Sequence, residues 1–165
     1  MKFCKVRNVK SPVRGTEKAA GIDFFVPDFG DNNRTLIINP GTDLLIPSGI
    51  KMDIPAGFML MSANKSGVTT SRQACVLAGR KPKAEAFESI IIIGAAIIDE
   101  DYQGELHIHL INVGREPVII KPGMKIAQFI LVPVSYEELE EVPETKLFSA
   151  PTERGEKGLG STGSY

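Results

Sequence analysis

The C-terminal segment of this chain has the composition of an anion-binding loop. Between Arg154 and Gly163 lie four glycines, two hydroxyl residues and two cations. Glycines let backbone N–H groups converge on phosphate oxygens, and the arginine, lysine, serine and threonine side chains add donors and positive charge. Because chain termini are seldom held by packing, we predict a mobile arm that closes over a phosphorylated ligand. A flexible tail without a role is the alternative.

An acidic turn follows the apolar run of residues 90–98. Asp99, Glu100 and Asp101 place three carboxylates at the end of what we predict to be a buried strand. Crowding and burial raise the pKa of a carboxylate, which would suit Asp99 to act as a general base. A solvated acidic turn is the alternative reading.

Two further polar residues interrupt apolar strands. Asp23 lies between Ile22 and Phe24, where a carboxylate needs a cation or hydrogen-bond donors. Gln128 shares a predicted strand face with isoleucines, so its amide needs a ligand or a backbone partner.

Glu105, His107 and His109 alternate along another strand face, a geometry that can chelate Zn²⁺. A solvated strand face or a subunit interface is the favoured reading of that last pattern.

The elements that must position these residues are short strands separated by proline and glycine. Prolines fall between the strands or at their ends, where a missing N–H is harmless, and no long segment keeps a helical period. We therefore predict an all-β, jelly-roll-like sandwich, with single helical turns conceivable at 82–89 and 135–141. The predicted strands are 3–9, 22–26, 35–38, 42–46, 49–54, 58–62, 89–93, 106–111, 118–121 and 125–132.

Bulk properties set limits on the class of protein. The chain of 165 residues is long enough for one domain with an ordinary core, and its net charge of −1 argues against general affinity for nucleic acid or anionic membranes. The two distant cysteines and the absence of a signal-like apolar stretch predict a cytoplasmic protein, in the host cytoplasm if viral. We predict a β domain over 1–141, with an insertion at about 68–87, and a linker with the mobile arm over 142–165.

Five segments, in this order, resemble the five motifs of the trimeric dUTPases, enzymes that cleave dUTP to dUMP and pyrophosphate. The resemblance extends from about residue 19 to residue 163. The segments are Ala20-Gly21-Ile22-Asp23-Phe24, Asn64-Lys65-Ser66-Gly67-Val68, Gly94-Ala95-Ala96-Ile97-Ile98-Asp99-Glu100-Asp101-Tyr102-Gln103-Gly104-Glu105, Gly123-Met124-Lys125-Ile126-Ala127-Gln128 and Arg154-Gly155-Glu156-Lys157-Gly158-Leu159-Gly160-Ser161-Thr162-Gly163.

The resemblance implies a role for each motif. Asp99 would activate the water that attacks the α-phosphorus, and the Tyr102 ring would pack on the deoxyribose, leaving no room for a 2′-hydroxyl. Residues 94–97 would form a uracil slot that reads the base through backbone groups and has no space for the methyl group of thymine. The implied substrate-binding residues are Lys65, Ser66, Gly67, Gly94, Ala95, Ala96, Ile97, Ile98, Tyr102, Gln128, Arg154, Leu159, Gly160, Ser161 and Thr162.

The resemblance also implies a cofactor and an assembly. Mg²⁺ would be bound mostly by triphosphate oxygens and water, with Asp23 holding the waters around it. The chains would form a homotrimer whose active sites are shared between subunits. The reaction would limit the incorporation of uracil into DNA.

Two positions depart from the family pattern. Lys65 stands where arginine is common, which keeps a cation but loses a bidentate fork. Leu159 stands where an aromatic ring, mostly Phe, usually stacks on uracil; either Leu159 covers the base or another ring does, with Phe87 and Phe148 as candidates.

Other functions stay open at this point. A dCTP deaminase-related or other pyrimidine-nucleotide enzyme could share the fold. A dUTP-sensing regulatory binding protein could use the loop at 68–87, which contains a basic turn, to contact a partner protein.

Overall fold

The computed structural model describes residues 1–30, 35–69 and 91–156, and in them the chain forms short strands with two one-turn helices. It divides into two compact units, Met1–Ser135 and Tyr136–Tyr165, and every described strand belongs to the first. The strands are β1 (Lys2–Lys5), β2 (Val13–Arg14), β3 (Gly21–Phe25), β4 (Leu36–Ile38), β5 (Asp43–Pro47), β6 (Ile50–Asp53), β7 (Phe58–Ala63), β8 (Ile91–Ile93), β9 (Ile97–Ile98), β10 (His107–Asn112), β11 (Val118–Ile120) and β12 (Lys125–Pro133). The helices are α1 (Ser66–Thr69) and α2 (Glu144–Leu147).

All strand pairs are antiparallel. The largest sheet has the order β2-β3-β12-β7-β9, with β12 between β3 and β7. A second sheet has the order β5-β10-β8, and the described residues also form two further pairs, β1 with β6 and β11 with β4. Most neighbours in the sheets are distant in sequence, as expected for a jelly-roll-like sandwich.

Alternating side chains build the core between the sheets. Along β10, Ile108, Leu110 and Asn112 are buried, whereas the residues between them are at least partly exposed. In the five-stranded sheet, the rings of Phe24 and Phe129 pack with centroids 4.4 Å apart. These buried faces contribute to one hydrophobic cluster. The predicted all-β, jelly-roll-like class is confirmed.

Each predicted strand overlaps an observed one, but β2, β9, α1 and α2 were not predicted. The strands β2 and β9 contain two residues each, and α1 contains four, so none is long enough to show a period. The predicted insertion at 68–87 lies mostly outside the described residues. Its first residue, Val68, is in α1 and is buried in the core.

The predicted helical turn at 135–141 is wrong. The structure has no helix over those residues and instead begins α2 at Glu144, directly after Pro143. Four glutamates between residues 137 and 141 would repel one another at helical spacing, while proline favours the start of a helix. The other predicted turn, 82–89, lies outside the described residues. No helix in the described ranges has the length and apolar character needed to span a bilayer.

Candidate active site

An open cleft of about 210 Å³ lies beside the turn that joins β9 to β10. Part of its wall consists of five residues of the third motif: Ala95, Ile97, Ile98, Asp99 and Tyr102. Much of the third motif therefore lies around one concave surface. The cleft is also lined by residues of β5, β7 and β10, among them Ser62 and His109, which the sequence did not associate with this motif.

The turn between β9 and β10 holds the Tyr102 ring against the backbone. The Tyr102 N–H donates to the Asp99 carbonyl at 3.2 Å, and the Tyr102 hydroxyl donates to the Glu105 carbonyl at 3.0 Å. A Cβ atom at Gly104 would lie 2.3 Å from the Tyr102 hydroxyl oxygen, so only glycine fits there. Tyr102 is 43% exposed and forms part of the cleft wall.

The expected crowding of three buried carboxylates is not observed. Asp99 and Asp101 are exposed in the single chain. The Glu100 carboxylate accepts a hydrogen bond from the Gly57 N–H and so has its own backbone partner. In the single chain the three carboxylates therefore do not share one buried environment, because Glu100 binds the Gly57 backbone while Asp99 and Asp101 are exposed. Asp99 therefore stands at the cleft as an accessible carboxylate.

The segment of residues 94–96 is held from two sides by hydrogen bonds. On one side, the His109 carbonyl accepts the Gly94 N–H at 2.9 Å and the His109 Nδ1 accepts the Ala95 N–H at 2.9 Å. On the other, the Ser62 hydroxyl donates to the Ala95 carbonyl at 3.2 Å and the Ser62 N–H donates to the Ala96 carbonyl at 2.7 Å. The Ala96 N–H has no partner among the described residues and remains available as a donor.

Asp23 is a buried carboxylate between two lysines. Its Oδ1 lies 2.9 Å from the Lys65 Nζ and its Oδ2 lies 3.0 Å from the Lys125 Nζ. Burial would raise the pKa of Asp23, but the hydrogen bonds and charges of Lys65 and Lys125 outweigh it, so its pKa lies below the ordinary value. Lys125, which sequence reasoning did not select, thus shares this site with residues of the first two motifs.

Gln128 joins the first, second and fourth motifs. In β12 it lies opposite Asp23 of β3 and Ala63 of β7, and its Nε2 donates to the Asn64 carbonyl at 2.8 Å. A Cβ atom at Gly21 would lie 2.0 Å from the Gln128 Oε1, so the glycine of the first motif leaves space for this amide. The backbone carbonyl of Asn64 is the partner that the amide needed on an apolar strand.

The other residues of the second motif begin at the end of β7. Ser66 and Gly67 start α1, and the Lys65 carbonyl accepts the N–H groups of Val68 and Thr69. This turn places the Ser66 hydroxyl and the Gly67 N–H next in sequence to the lysine that contacts Asp23.

The row of Glu105, His107 and His109 has partners other than a metal. Glu105 accepts hydrogen bonds from Arg7 and from the Gly49 N–H, both at 2.7 Å. Burial would raise the pKa of Glu105, but the bonds from Arg7 and Gly49 lower it below its usual value. The His107 Nδ1 is 2.9 Å from the Glu105 carbonyl oxygen. Within the described residues, no group of three potential ligands is close enough to hold a metal ion.

The C-terminal unit contains one described residue of the predicted site. Arg154 lies in a turn in which the Gly155 N–H donates to the Thr152 carbonyl at 3.1 Å, and Gly155 has a positive φ of 52°. Phe148, a candidate to cover the base, is 77% exposed. Several predicted residues lie outside the described part of the chain: Phe87, Leu159, Gly160, Ser161 and Thr162.

Replacing Asp23 with asparagine should destabilise the fold at neutral pH. Asp23→Asn leaves the ammonium groups of Lys65 and Lys125 without their counter-charge, and we expect a loss of about 1–2 kcal/mol in the free energy of unfolding at pH 7. Because the pKa of Asp23 is lowered by folding, its contribution is present above an unfolded pKa of about 4 and is lost as the pH falls through the folded value.

Urea unfolding of both proteins from pH 7 to pH 2 measures this contribution. The gap between wild type and variant should narrow below about pH 4. The matched control is Asp53→Asn, which removes an exposed carboxylate 3.8 Å from Lys2 and should change stability by less than about 0.5 kcal/mol. A gap that is constant with pH would contradict the assignment of stability to the ionised carboxylate.

Comparison with known proteins shows similarity to one family across nearly the whole chain. The sequence matches the family model described as dUTPase over residues 7–163. The deoxyuridine 5'-triphosphate nucleotidohydrolase of Dictyoglomus turgidum is 36% identical over 146 residues, which cover 86% of this chain and 78% of that protein. The protein of the same name from Mus musculus is 33% identical over 153 residues, covering 93% of this chain and 78% of the relative.

Solved structures of phage enzymes share the fold. The dUTPase of Staphylococcus bacteriophage 80alpha, in complex with dUPNHPP, aligns with a TM-score of 0.76 at 23% identity over 98% of this chain and 97% of its own. A mutant dUTPase from phage phi11 of S. aureus aligns with a TM-score of 0.67 at 21% identity over 87% of this chain and 96% of its own. The structure of that mutant is reported to reveal the coordination of a structural Mg(II) ion.

Proposed function

We infer that this chain, which belongs to the dUTPase family, is an enzyme that hydrolyses dUTP to dUMP. One observation supports the assignment to a place in the fold: Asp99 and Tyr102 line a single cleft together with Ala95, Ile97 and Ile98. In the proposed reaction the carboxylate would accept a proton from water, the ring would pack on the sugar and the segment would bind the base.

Asp99 is the proposed general base. The water that attacks the α-phosphorus would give its proton to the Asp99 carboxylate, and the bond from that phosphorus to the bridging oxygen would break to release pyrophosphate. An accessible carboxylate at a cleft can receive such a proton directly. Because Asp99 is exposed in the single chain, the C-terminal arm would have to close over the bound nucleotide to exclude water from the reacting groups.

The base and the sugar would be selected by different parts of the cleft. The Ala96 N–H has no hydrogen-bond partner among the described residues, and we assign it to the uracil edge. The Tyr102 ring, held by its bond to Glu105, would pack on the deoxyribose and leave no space for a 2′-hydroxyl. Gly94, Ala95, Ile97 and Ile98 complete the proposed slot.

The triphosphate would be bound by the C-terminal arm and by the lysine site, in which Lys65 and Lys125 contact Asp23. Lys65, Ser66, Gly67 and Gln128 are assigned to the phosphates because β7, α1 and β12 place them around the Asn64 turn. Arg154 is assigned to the γ-phosphate, together with Leu159, Gly160, Ser161 and Thr162 of the arm. The Lys65 ammonium has three donors, so one bond to Asp23 leaves others for phosphate oxygens.

The described residues fit a magnesium ion that is held mainly by the substrate. Lysine nitrogens occupy one position on each Asp23 oxygen, so Asp23 is a poor direct ligand. A carboxylate has about four lone-pair positions, which leaves Asp23 able to accept hydrogen bonds from metal-bound water. When bound, Mg²⁺ would supply positive charge that neutralises the phosphates.

The exposed free thiol of Cys4 agrees with a reducing, cytoplasmic location.

A homotrimer with shared sites is the proposed assembly. Three large apolar side chains of the cleft wall are exposed in the single chain: Leu45 at 57%, Ile97 at 66% and Tyr102 at 43%. An exposed apolar rim around a cleft is typical of a surface that another chain covers. Sedimentation equilibrium should report a mass near that of three chains. A fully active monomer would rule out sites shared between subunits.

A panel of nucleotides tests the proposed reaction. Pyrophosphate release should be fast with dUTP and Mg²⁺, slow with UTP and dTTP, and abolished by excess EDTA. Release of ammonia from dCTP would favour a deaminase-related enzyme instead. Tight binding of dUTP without hydrolysis would favour a regulatory binding protein, for which the loop at 68–87 is the proposed partner contact.

A further inference from the structure

We propose that His109 is a positioning residue for the base-binding slot and that Asp43 holds its imidazole in the orientation this requires. The proposal rests on the proposed function, because it concerns how the slot for dUTP is kept in shape. His109 lies in β10 with its side chain 24% exposed at the wall of the cleft.

One residue holds two consecutive peptide groups of the slot. The His109 carbonyl accepts the Gly94 N–H at 2.9 Å, and the ring Nδ1 accepts the Ala95 N–H at 2.9 Å. Because Nδ1 is an acceptor, the imidazole proton is on Nε2, and Nε2–H donates to the Asp43 Oδ2 at 2.9 Å. Asp43 therefore favours the tautomer in which Nδ1 is free to accept.

The ring also lies directly against the backbone of the slot. A Cβ atom at Gly94 would be 2.1 Å from the His109 Nδ1, so the glycine is what allows the contact. On the opposite side, Ser62 binds the carbonyls of Ala95 and Ala96. The segment is thus held between β10 and β7. The direction of the Ala96 N–H is fixed because this group shares a planar peptide with the Ala95 carbonyl, which accepts the hydrogen bond from Ser62. A donor fixed before the ligand arrives loses little freedom on binding.

Loss of the ring acceptor should weaken nucleotide binding more than it slows the chemical step. A slot that holds the base contributes equally to the bound substrate and the transition state, so its loss raises KM and leaves kcat nearly unchanged. For His109→Leu we expect KM for dUTP to rise about fivefold to tenfold, the effect of one hydrogen bond. The dissociation constant of the non-hydrolysable imido analogue of dUTP should rise by the same factor.

Two amide variants separate the acceptor from simple packing. In His109→Asn the side-chain oxygen can take the place of Nδ1, whereas His109→Gln carries its amide out to the position of Nε2. We expect Asn to keep KM near wild type and Gln to behave like Leu. Equal KM values for Asn and Gln would overturn the proposal, even if the Leu variant failed to fold.

Magnetic resonance of the unliganded full-length protein provides a readout independent of turnover. The ¹⁵N spectrum of the His109 ring should show the Nε2–H tautomer, and the Ala95 amide proton should move in His109→Leu but not in the matched control His107→Leu. An Nδ1–H tautomer in the wild type would overturn the proposal. A wild-type protein with the expected spectrum but without dUTP hydrolysis would refute the proposed function alone.

Discussion

Asp99→Asn should lower kcat for dUTP by about 10²–10⁴, the usual effect of losing a general base. The amide has nearly the same shape as the carboxylate but cannot take a proton from the attacking water. Binding should survive because Asp99 is exposed at the rim of the cleft and the variant leaves the slot and the lysine site in place. Single-turnover kinetics and titration with the imido analogue of dUTP measure the two effects separately.

Asp101→Asn is the matched control for this variant. It removes the same charge from the same turn, at another exposed carboxylate, and should change kcat by no more than about twofold. Near-normal turnover in Asp99→Asn would show that another group accepts the proton. Equal losses in both variants would point to the charge of the turn rather than to a base.

Truncation after Glu153 should nearly abolish activity while leaving the β domain folded. The deletion removes Arg154 and the glycine-rich arm, and losing several phosphate donors should lower kcat/KM by about 10³-fold. Stability should hardly change because the strands and the hydrophobic cluster belong to the unit Met1–Ser135. Circular dichroism, thermal unfolding and pyrophosphate release on the same sample give the comparison.

Two substitutions refine the truncation. Arg154→Gln should account for part of the loss, whereas Lys146→Gln, which removes an exposed cation from α2, should leave kcat/KM close to wild type. Full activity of the truncated chain would remove the arm from the proposed mechanism. A truncated chain that unfolds would instead show that the C-terminal unit supports the core.

The local pattern of the sequence was sufficient to predict the fold class. Proline and glycine separate the strands, and in β10 buried residues alternate with more exposed ones. These signals depend only on residues that are close in sequence, so they can be recognised without knowing which strands pair. The two strands that were missed, β2 and β9, have only two residues each and form because a longer strand pairs with each of them.

The identities of the proposed site residues were likewise readable from the order of the motifs. What the sequence could not supply was the surroundings of each residue. It predicted a buried, crowded Asp99, and the turn of the chain instead exposes Asp99 and pairs Glu100 with Gly57. The burial of a side chain depends on which strands lie beside it in the fold, and the residues next to it in sequence do not determine those strands.

By itself, then, the sequence determined most of the strands, the chemical groups and their order along the chain. Only the tertiary structure decided which groups meet: Lys125 with Asp23, Gln128 with Asn64, and His109 with Ala95. The physical reason is that β12 and β10 pair with strands far away in sequence, and strand register alone brings those side chains together. A histidine that resembles a metal ligand in the sequence is therefore a backbone clamp in the fold.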